Sequence, residues 1–249
     1  MERQRVENPS FFPSPEYLAR YVCERNGINI TGNQFISLIR FVRLLKESNT
    51  SVNLLSRTDI GNIWTSHILH SISPLFYLDI PHGATVLDLG SGGGLPGIPL
   101  SILRDDLRVT LLDSIAKKTA ALEWIIAEAG LTNVSVVTAR AEELGKQPAH
   151  RFDIVVARAV ASLSDLIKWS KLLVRKPVEN QMQSSEHDSG KQRKLGLPCL
   201  LALKGGNLEN EIATAKRKTG ERNITTIDLV FSGADNAGLE DKKLVTVEF

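Results

Sequence analysis

Val86-Leu87-Asp88-Leu89-Gly90-Ser91-Gly92-Gly93-Gly94-Leu95-Pro96-Gly97-Ile98-Pro99-Leu100 decides how this chain is read. Its apolar, branched opening has the character of a strand covered on both faces, predicted over 84–89. Gly90, Gly92, Gly93 and Gly94 then form a loop that can turn at positive φ and admit a close backbone approach. Pro96 and Pro99 are tolerated in a first helical turn, so a helix is predicted to open at Leu95–Gly97 and run to about residue 103. A glycine loop feeding a helix N-terminus offers amide donors and a positive dipole end, which suits an anionic or strongly polar ligand. A tight turn without a ligand explains such a run poorly, because its glycines cost backbone entropy and pack nothing.

Two nucleotide-type cofactors use such a loop. Gly92 to Gly97 satisfies G-x-G-x-x-G, and Asp113 stands where a ribose-binding acid is expected, which is the nicotinamide reading. Alone that signal is weak, since glycine-rich turns are common. Asp88 extends the pattern to apolar-Asp-x-Gly-x-Gly-x-Gly, which resembles the first motif of class I methyltransferases, binders of S-adenosyl-L-methionine (SAM).

A chain of 249 residues, 42% hydrophobic and 23% charged, supports one full core with a small helical appendage. The net charge of +2 permits a nucleic-acid partner without indicating one. Cys23 and Cys199 are distant and unpatterned, so no disulfide framework and no metal site are expected, and a cytoplasmic location fits. No apolar run reaches membrane-spanning length, and no membrane partner is expected.

Residues 1–14 read as a flexible arm and 15–80 as a helical segment packed on the core. Ser14 can cap a helix over 15–25, stopped by Asn26-Gly27, and Thr31 or Asn33 opens the next. On that second helix Arg40, Arg43 and Lys46 form a charged outer face, read as solvated ahead of RNA contact. Asp59 is the expected cap of a third helix carrying Ile63, His67, Ile68 and Ile72. Pro81-His82-Gly83 marks the start of the catalytic domain, residues 81–249. Strands are predicted at 84–89, 108–113, 134–138, 153–157 and 199–204, with helices at 115–129, 164–173 and 208–218. Thr225–Phe231 and Lys243–Phe249 finish as a hairpin at one sheet edge. Residues 175–197, polar and without apolar period, read as a disordered insertion. The fold class is α/β: a Rossmann-like, mostly parallel sheet with a C-terminal antiparallel hairpin, preceded by helices. That hairpin matches class I methyltransferase topology, and little chain remains for a dehydrogenase's second domain.

Ligands of open α/β sheets sit beyond the carboxyl ends of the strands. The candidates there are Gly90, Gly92, Gly94 and Leu95 after the first strand and Asp113 with Ser114 after the second. Asp113 can accept ribose hydroxyls or cap the following helix. After the third strand, Ala141 and Glu142 can meet an adenine edge, though Glu142 serves equally as a first-turn acid. After the fourth, Arg158 can pair the methionine carboxylate or an RNA phosphate. Lys204, after the fifth, adds a second cation at the same mouth. There is no Asn/Asp-Pro-Pro-aromatic run for an exocyclic amine and no Pro-Cys nucleophile for carbon-5 methylation. His67 and His70 have no partners for a zinc site or a triad and read as packed histidines.

Gly90-Ser-Gly-Gly-Gly-Leu-Pro-Gly-Ile-Pro-Leu100 resembles the signature of the RsmG (GidB) family. So do Leu111-Leu-Asp-Ser-Ile-Ala-Lys-Lys118, Arg158-Ala-Val-Ala-Ser-Leu163 and Ala202-Leu-Lys-Gly205. Upstream, Asn53-Leu54 and His67-Ile-Leu-His-Ser71 are similar to the family's helical region, with His70 where the family pattern has Asp. The resemblance implies a SAM-dependent enzyme that methylates N7 of a guanosine in 16S (small-subunit) ribosomal RNA. The partner would be that RNA or an assembly intermediate, the protein a monomer, with Lys117, Lys118 and Lys204 as RNA-contact candidates. Guanine N7 carries a lone pair and no proton, so no side chain is assigned as catalyst; alignment and charge tolerance do the work. The rival readings are a nicotinamide-dependent oxidoreductase and a SAM-binding assembly factor without catalysis.

Overall fold

The computed structural model describes residues 14–56, 60–147, 151–176, 192–233 and 238–249. Its central sheet contains β1 (Thr85–Leu89), β2 (Arg108–Asp113), β3 (Val134–Thr138), β4 (Ile154–Arg158), β5 (Cys199–Gly205), β6 (Ile224–Asp228) and β7 (Lys242–Glu248). The order is β3-β2-β1-β4-β5-β7-β6. The first five strands run parallel, and β7 is antiparallel to both its neighbours. Leu244–Val247 is buried, so β7 takes the inner place, and the polar Thr225-Thr226 strand is left at the edge.

Helices α1 (Pro15–Arg25) and α2 (Gly32–Asn49) precede the sheet. The others are α3 (Gly97–Leu103), α4 (Ala116–Ala129), α5 (Ala141–Leu144), α6 (Leu163–Leu173) and α7 (Glu209–Thr219). Thr31 caps α2: its hydroxyl accepts from Gln34 N–H, and Gln34 Oε1 accepts from Thr31 N–H, a reciprocal box. Gln34 Nε2 also donates to Leu103 O at 3.1 Å, tying α2 to the end of α3. Leu38, Phe41, Leu44 and Leu45 of α2 share one apolar cluster with Ile98, Leu111 and Leu122. The core therefore runs unbroken across the Pro81–Gly83 turn.

Several expectations need correction. The hydroxyl of Ser14 is buried without a hydrogen bond, so it does not cap α1. The arm at 1–13 and the proposed cap Asp59 lie outside the described residues. Residues 60–77 are not one helix. A 3-10 turn (Ile60–Asn62) leads into a π-wound stretch (Ile63–Leu69), then short α turns at His70–Ile72 and Pro74–Tyr77. Wider winding lets Ile63, Trp64, Ile68 and Leu69, spaced by five, all reach the core. Strand β4 begins one residue late because Asp153 turns its carboxylate onto Thr85 N and Oγ1, at 2.8 and 2.7 Å. Helix α6 starts at Leu163 because Ser162 Oγ accepts Asp165 N–H.

The predicted insertion is ordered at both described ends. Arg175 pairs with Asp153 at 3.1 Å, Leu195 is buried, and Arg193 pairs with Glu248 at 3.1 Å. Arg193–Lys194 also lies parallel to Leu78–Asp79 as a two-residue ladder. The polar composition concealed these contacts, most of which join residues far apart in sequence. Residues 177–191 lie outside the described residues.

Candidate active site

Parallel pairing brings the carboxyl ends of β1, β2, β3, β4 and β5 to one side of the sheet, with Asp113 beside Thr138 and Arg158 beside Leu203. Over that side lies the glycine loop, closed on itself more fully than its sequence suggests. Gly90 and Ser91 N–H donate to Leu112 O, while Gly94 and Leu95 N–H donate to Ser91 O. Gly92 N–H donates to Asp113 Oδ2 at 3.1 Å. Gly97 N–H, at the opening of α3, donates to Asp88 Oδ2 at 2.8 Å. These six amides of the expected anion cradle are thus spent on the protein. The positive end of α3 faces the chain's own carboxyl group.

Asp88 is wholly buried, and its second oxygen, Oδ1, has no hydrogen-bond partner. Burial pushes its carboxyl up to about 7, against the opposing pull of Gly97 N–H and the Arg158 charge; Asp113 adds to the rise. A side chain at Gly97 would sit 2.8 Å from Asp88 Oδ2, which explains the glycine there. Gly92 (φ +53°) has room for a Cβ, which would meet Leu54 O only at 3.8 Å. Leu95 is buried in the core, so it shapes the loop from beneath.

Asp113 fills the capping role, with Oδ1 accepting Ile115 N–H at 3.0 Å, and its Oδ2 accepts Gly92 N–H. Each oxygen retains a lone pair for a hydroxyl. Ser114 beside it is exposed. Ala141 is buried at the start of α5. Glu142 is exposed and accepts Trp169 Nε1–H at 2.7 Å.

The two predicted cations part company. Arg158 Nη1 donates to His67 Nδ1 at 2.8 Å at the mouth. Lys204 turns inward instead, donating to Ala161 O at 2.7 Å and pairing with Glu211 at 2.8 Å. Glu211 also accepts Leu163 N–H at 2.7 Å, so this ion pair clamps the loop between β4 and α6 onto α7. Lys204, expected as a phosphate contact, is here engaged as a loop clamp. Lys117 Nζ donates to Ser51 O at 2.8 Å, fastening the connector after α2, and Lys118 is half-buried.

Three contributors were not read from the sequence. Asn49 Oδ1 accepts Leu54 and Leu55 N–H at 2.8 and 2.7 Å, setting Leu54 against Gly93 as a wall of the loop. Val160 covers Gly90: a Cβ there would lie 2.8 Å from Val160 Cγ2. Ala159 (φ +55°) adopts a left-handed conformation that costs a non-glycine residue energy, and it delivers Val160 to that place. His67 is the third, having been read as packed; its neighbour His70 is indeed buried.

The sequence model of a family described as GidB, rRNA small subunit methyltransferase G, matches residues 34–183, more than half the chain. The chain belongs to this family. Its RsmG relatives include "Ribosomal RNA small subunit methyltransferase G" of Chlorobaculum tepidum, 39% identical over 199 residues, covering 80% of this chain and 81% of that one. The protein of the same name in Lactobacillus helveticus is 35% identical over 227 residues, covering 87% and 91%. The fold is also similar to a crystal structure of a fibrillarin/Nop5p complex, with TM-score 0.50 at 12% identity, over 73% of this chain and 79% of that chain. The RsmG match spans both the helical segment from Gln34 and the glycine loop, the two parts that meet at Leu54 and Gly93.

Proposed function

We propose that this protein transfers the methyl group of SAM to N7 of a guanosine in small-subunit ribosomal RNA. Beside the family membership, the observation that carries the reading is the closed glycine loop. A dinucleotide's pyrophosphate needs free amides and an open helix N-terminus. Here six of the loop's amides are bound to Leu112 O, Ser91 O, Asp113 and Asp88. What the site offers is the Asp113 carboxylate for ribose hydroxyls, an uncrowded backbone at Gly92 and the Arg158 guanidinium for a carboxylate. Those features suit a nucleoside carrying an amino acid and no phosphate. SAM bound there supplies a sulfonium methyl group.

The chain's own part is alignment. Asp113 orients the ribose end and Arg158 the methionine end, while Val160 and Leu54 wall the glycine loop and exclude water. N7 presents its lone pair without losing a proton, so no base is required, in keeping with a site built from walls and anchors. In this reading the protein works in the cytoplasm as a monomer, with Lys118 and the α2 face of Arg40, Arg43 and Lys46 left for RNA. The test is transfer of labelled methyl from SAM to small-subunit RNA or particles from cells lacking the protein, followed by mapping of 7-methylguanosine. A single labelled guanosine is expected. Nicotinamide cofactor binding without SAM binding would reject the proposal.

A further inference from the structure

His67 sits in the π-wound stretch, and Arg158 closes β4 in register with Leu203. Only tertiary structure joins them, through the 2.8 Å contact from Nη1 to Nδ1. A guanidinium has donors and no acceptor, so Nδ1 must be the unprotonated nitrogen of a neutral imidazole. The next residue, Ala159, turns into the left-handed region, so the backbone beyond Arg158 leaves the strand direction and carries Val160 over Gly90. A long arginine side chain there has much rotamer freedom to lose, and the imidazole takes up that task.

We propose that His67 is a positioning residue, which holds the Arg158 guanidinium toward the carboxylate of SAM and releases it in acid. The proposal rests on the methyltransferase reading above. A second proton on the imidazole would turn the Nδ1 acceptor into a donor and set two cations at hydrogen-bond distance. The described titratable and charged groups tied to this pocket are Arg158 from β4, Lys242 from the start of β7 and His70 from the adjoining turn, with Asp88 feeling the charges of both Arg158 and Asp113. His70 cannot be the switch: burial first, then the Arg158 and Lys242 charges, depress it to about 3, and it stays neutral throughout the useful range. Asp88, raised to about 7, titrates within that range and has to be separated from His67.

The separation is made by SAM calorimetry from about pH 8 to about pH 5.5 on the wild type, His67→Asn and His67→Phe. The Asn oxygen takes the place of Nδ1 as an acceptor and does not titrate. At the upper pH, His67→Phe is expected to bind SAM about tenfold more weakly, and His67→Asn to recover to within about threefold of the wild type. Toward acid the wild type should lose affinity more steeply than His67→Asn, whose remaining slope belongs to Asp88. Nitrogen NMR of the cofactor-free wild type should show an unprotonated Nδ1 at the upper pH, independently of any binding. Superimposed pH curves for the wild type and His67→Asn, or a protonated Nδ1, overturn the proposal even if His67→Phe fails to fold. Equal SAM affinity of folded His67→Phe and the wild type overturns it also. A wild type that binds no SAM at any pH is a different failure and overturns the methyltransferase reading itself.

Discussion

At the scale of single residues, two carboxylates govern the pocket in opposite ways. Asp113 holds the Gly92 and Ile115 amides, one on each oxygen, which leaves each oxygen a lone pair. Asp113→Ala should therefore weaken SAM by roughly ten- to a hundredfold, read by calorimetry, and also lower the melting temperature. An unchanged affinity in a folded variant would remove Asp113 from the site. Asp88 is the buried one, with a folded value near 7 against an unfolded value of 3.8. Because the folded value is the higher, the folded state binds the extra proton between the two. Its contribution is full below about pH 4 and is lost as pH rises through about 7, amounting to at most about 4 kcal/mol. Urea unfolding across that window should show the decline in the wild type and lack this component in Asp88→Asn. Parallel curves would mean that Asp88 ionises normally.

At the scale of elements, the β4–α6 loop depends on a clamp at the end of β5. Lys204 of β5 and Glu211 of α7 grip Ala161 O and Leu163 N–H, and the loop follows Arg158 directly and sets Val160 over Gly90. Lys204→Ala leaves Glu211 short of its partner and should cost about 1–3 kcal/mol of stability. It should weaken SAM binding and leave the salt dependence of RNA binding unchanged, because the ammonium is already paired within the protein. A salt slope flattened by about one unit would instead return Lys204 to the RNA surface. The segment before β5 obeys similar logic. Deleting 175–197 removes the Arg175 and Arg193 ion pairs and the burial of Leu195, and should cost about 3 kcal/mol or more. Deleting 177–191 alone, a polar stretch with no apolar period, should change stability by less than about 1 kcal/mol. Equal melting temperatures for the two deletions would show that the flanks contribute nothing.

At the scale of the whole molecule, the helical segment is part of the site's foundation. Leu45 and Leu54 press on Gly93, Gln34 holds the end of α3, and one apolar cluster joins α2 to the sheet. A chain beginning at residue 81 would expose the α3 and α4 faces that α2 now covers, an apolar surface too large for a stable monomer. It is expected to lack a cooperative thermal transition and to bind no SAM. A sharp transition in that truncated chain would show the sheet to be self-sufficient.

The sequence by itself determined the parallel sheet, the glycine loop between β1 and α3, the acid at the end of β2 and the closing hairpin. Each is written in local terms: alternation of apolar runs with helical spacing, glycines where a side chain cannot fit, and Asp113 at the boundary between β2 and α4. Tertiary structure alone decided which groups remain available. The loop amides looked free because their acceptors, Leu112 O and the Asp113 and Asp88 carboxylates, belong to other elements or lie across the loop. Lys204 looked exposed because Glu211 sits on the following helix, and the 175–197 flanks looked loose because Asp153 and Glu248 are distant in sequence. His67 looked merely packed, since its partner lies on β4 and no local pattern records a hydrogen bond across the fold. Spacing along the chain specifies backbone form, whereas the use of each donor and charge is set by which neighbours the folded sheet brings within about 3 Å.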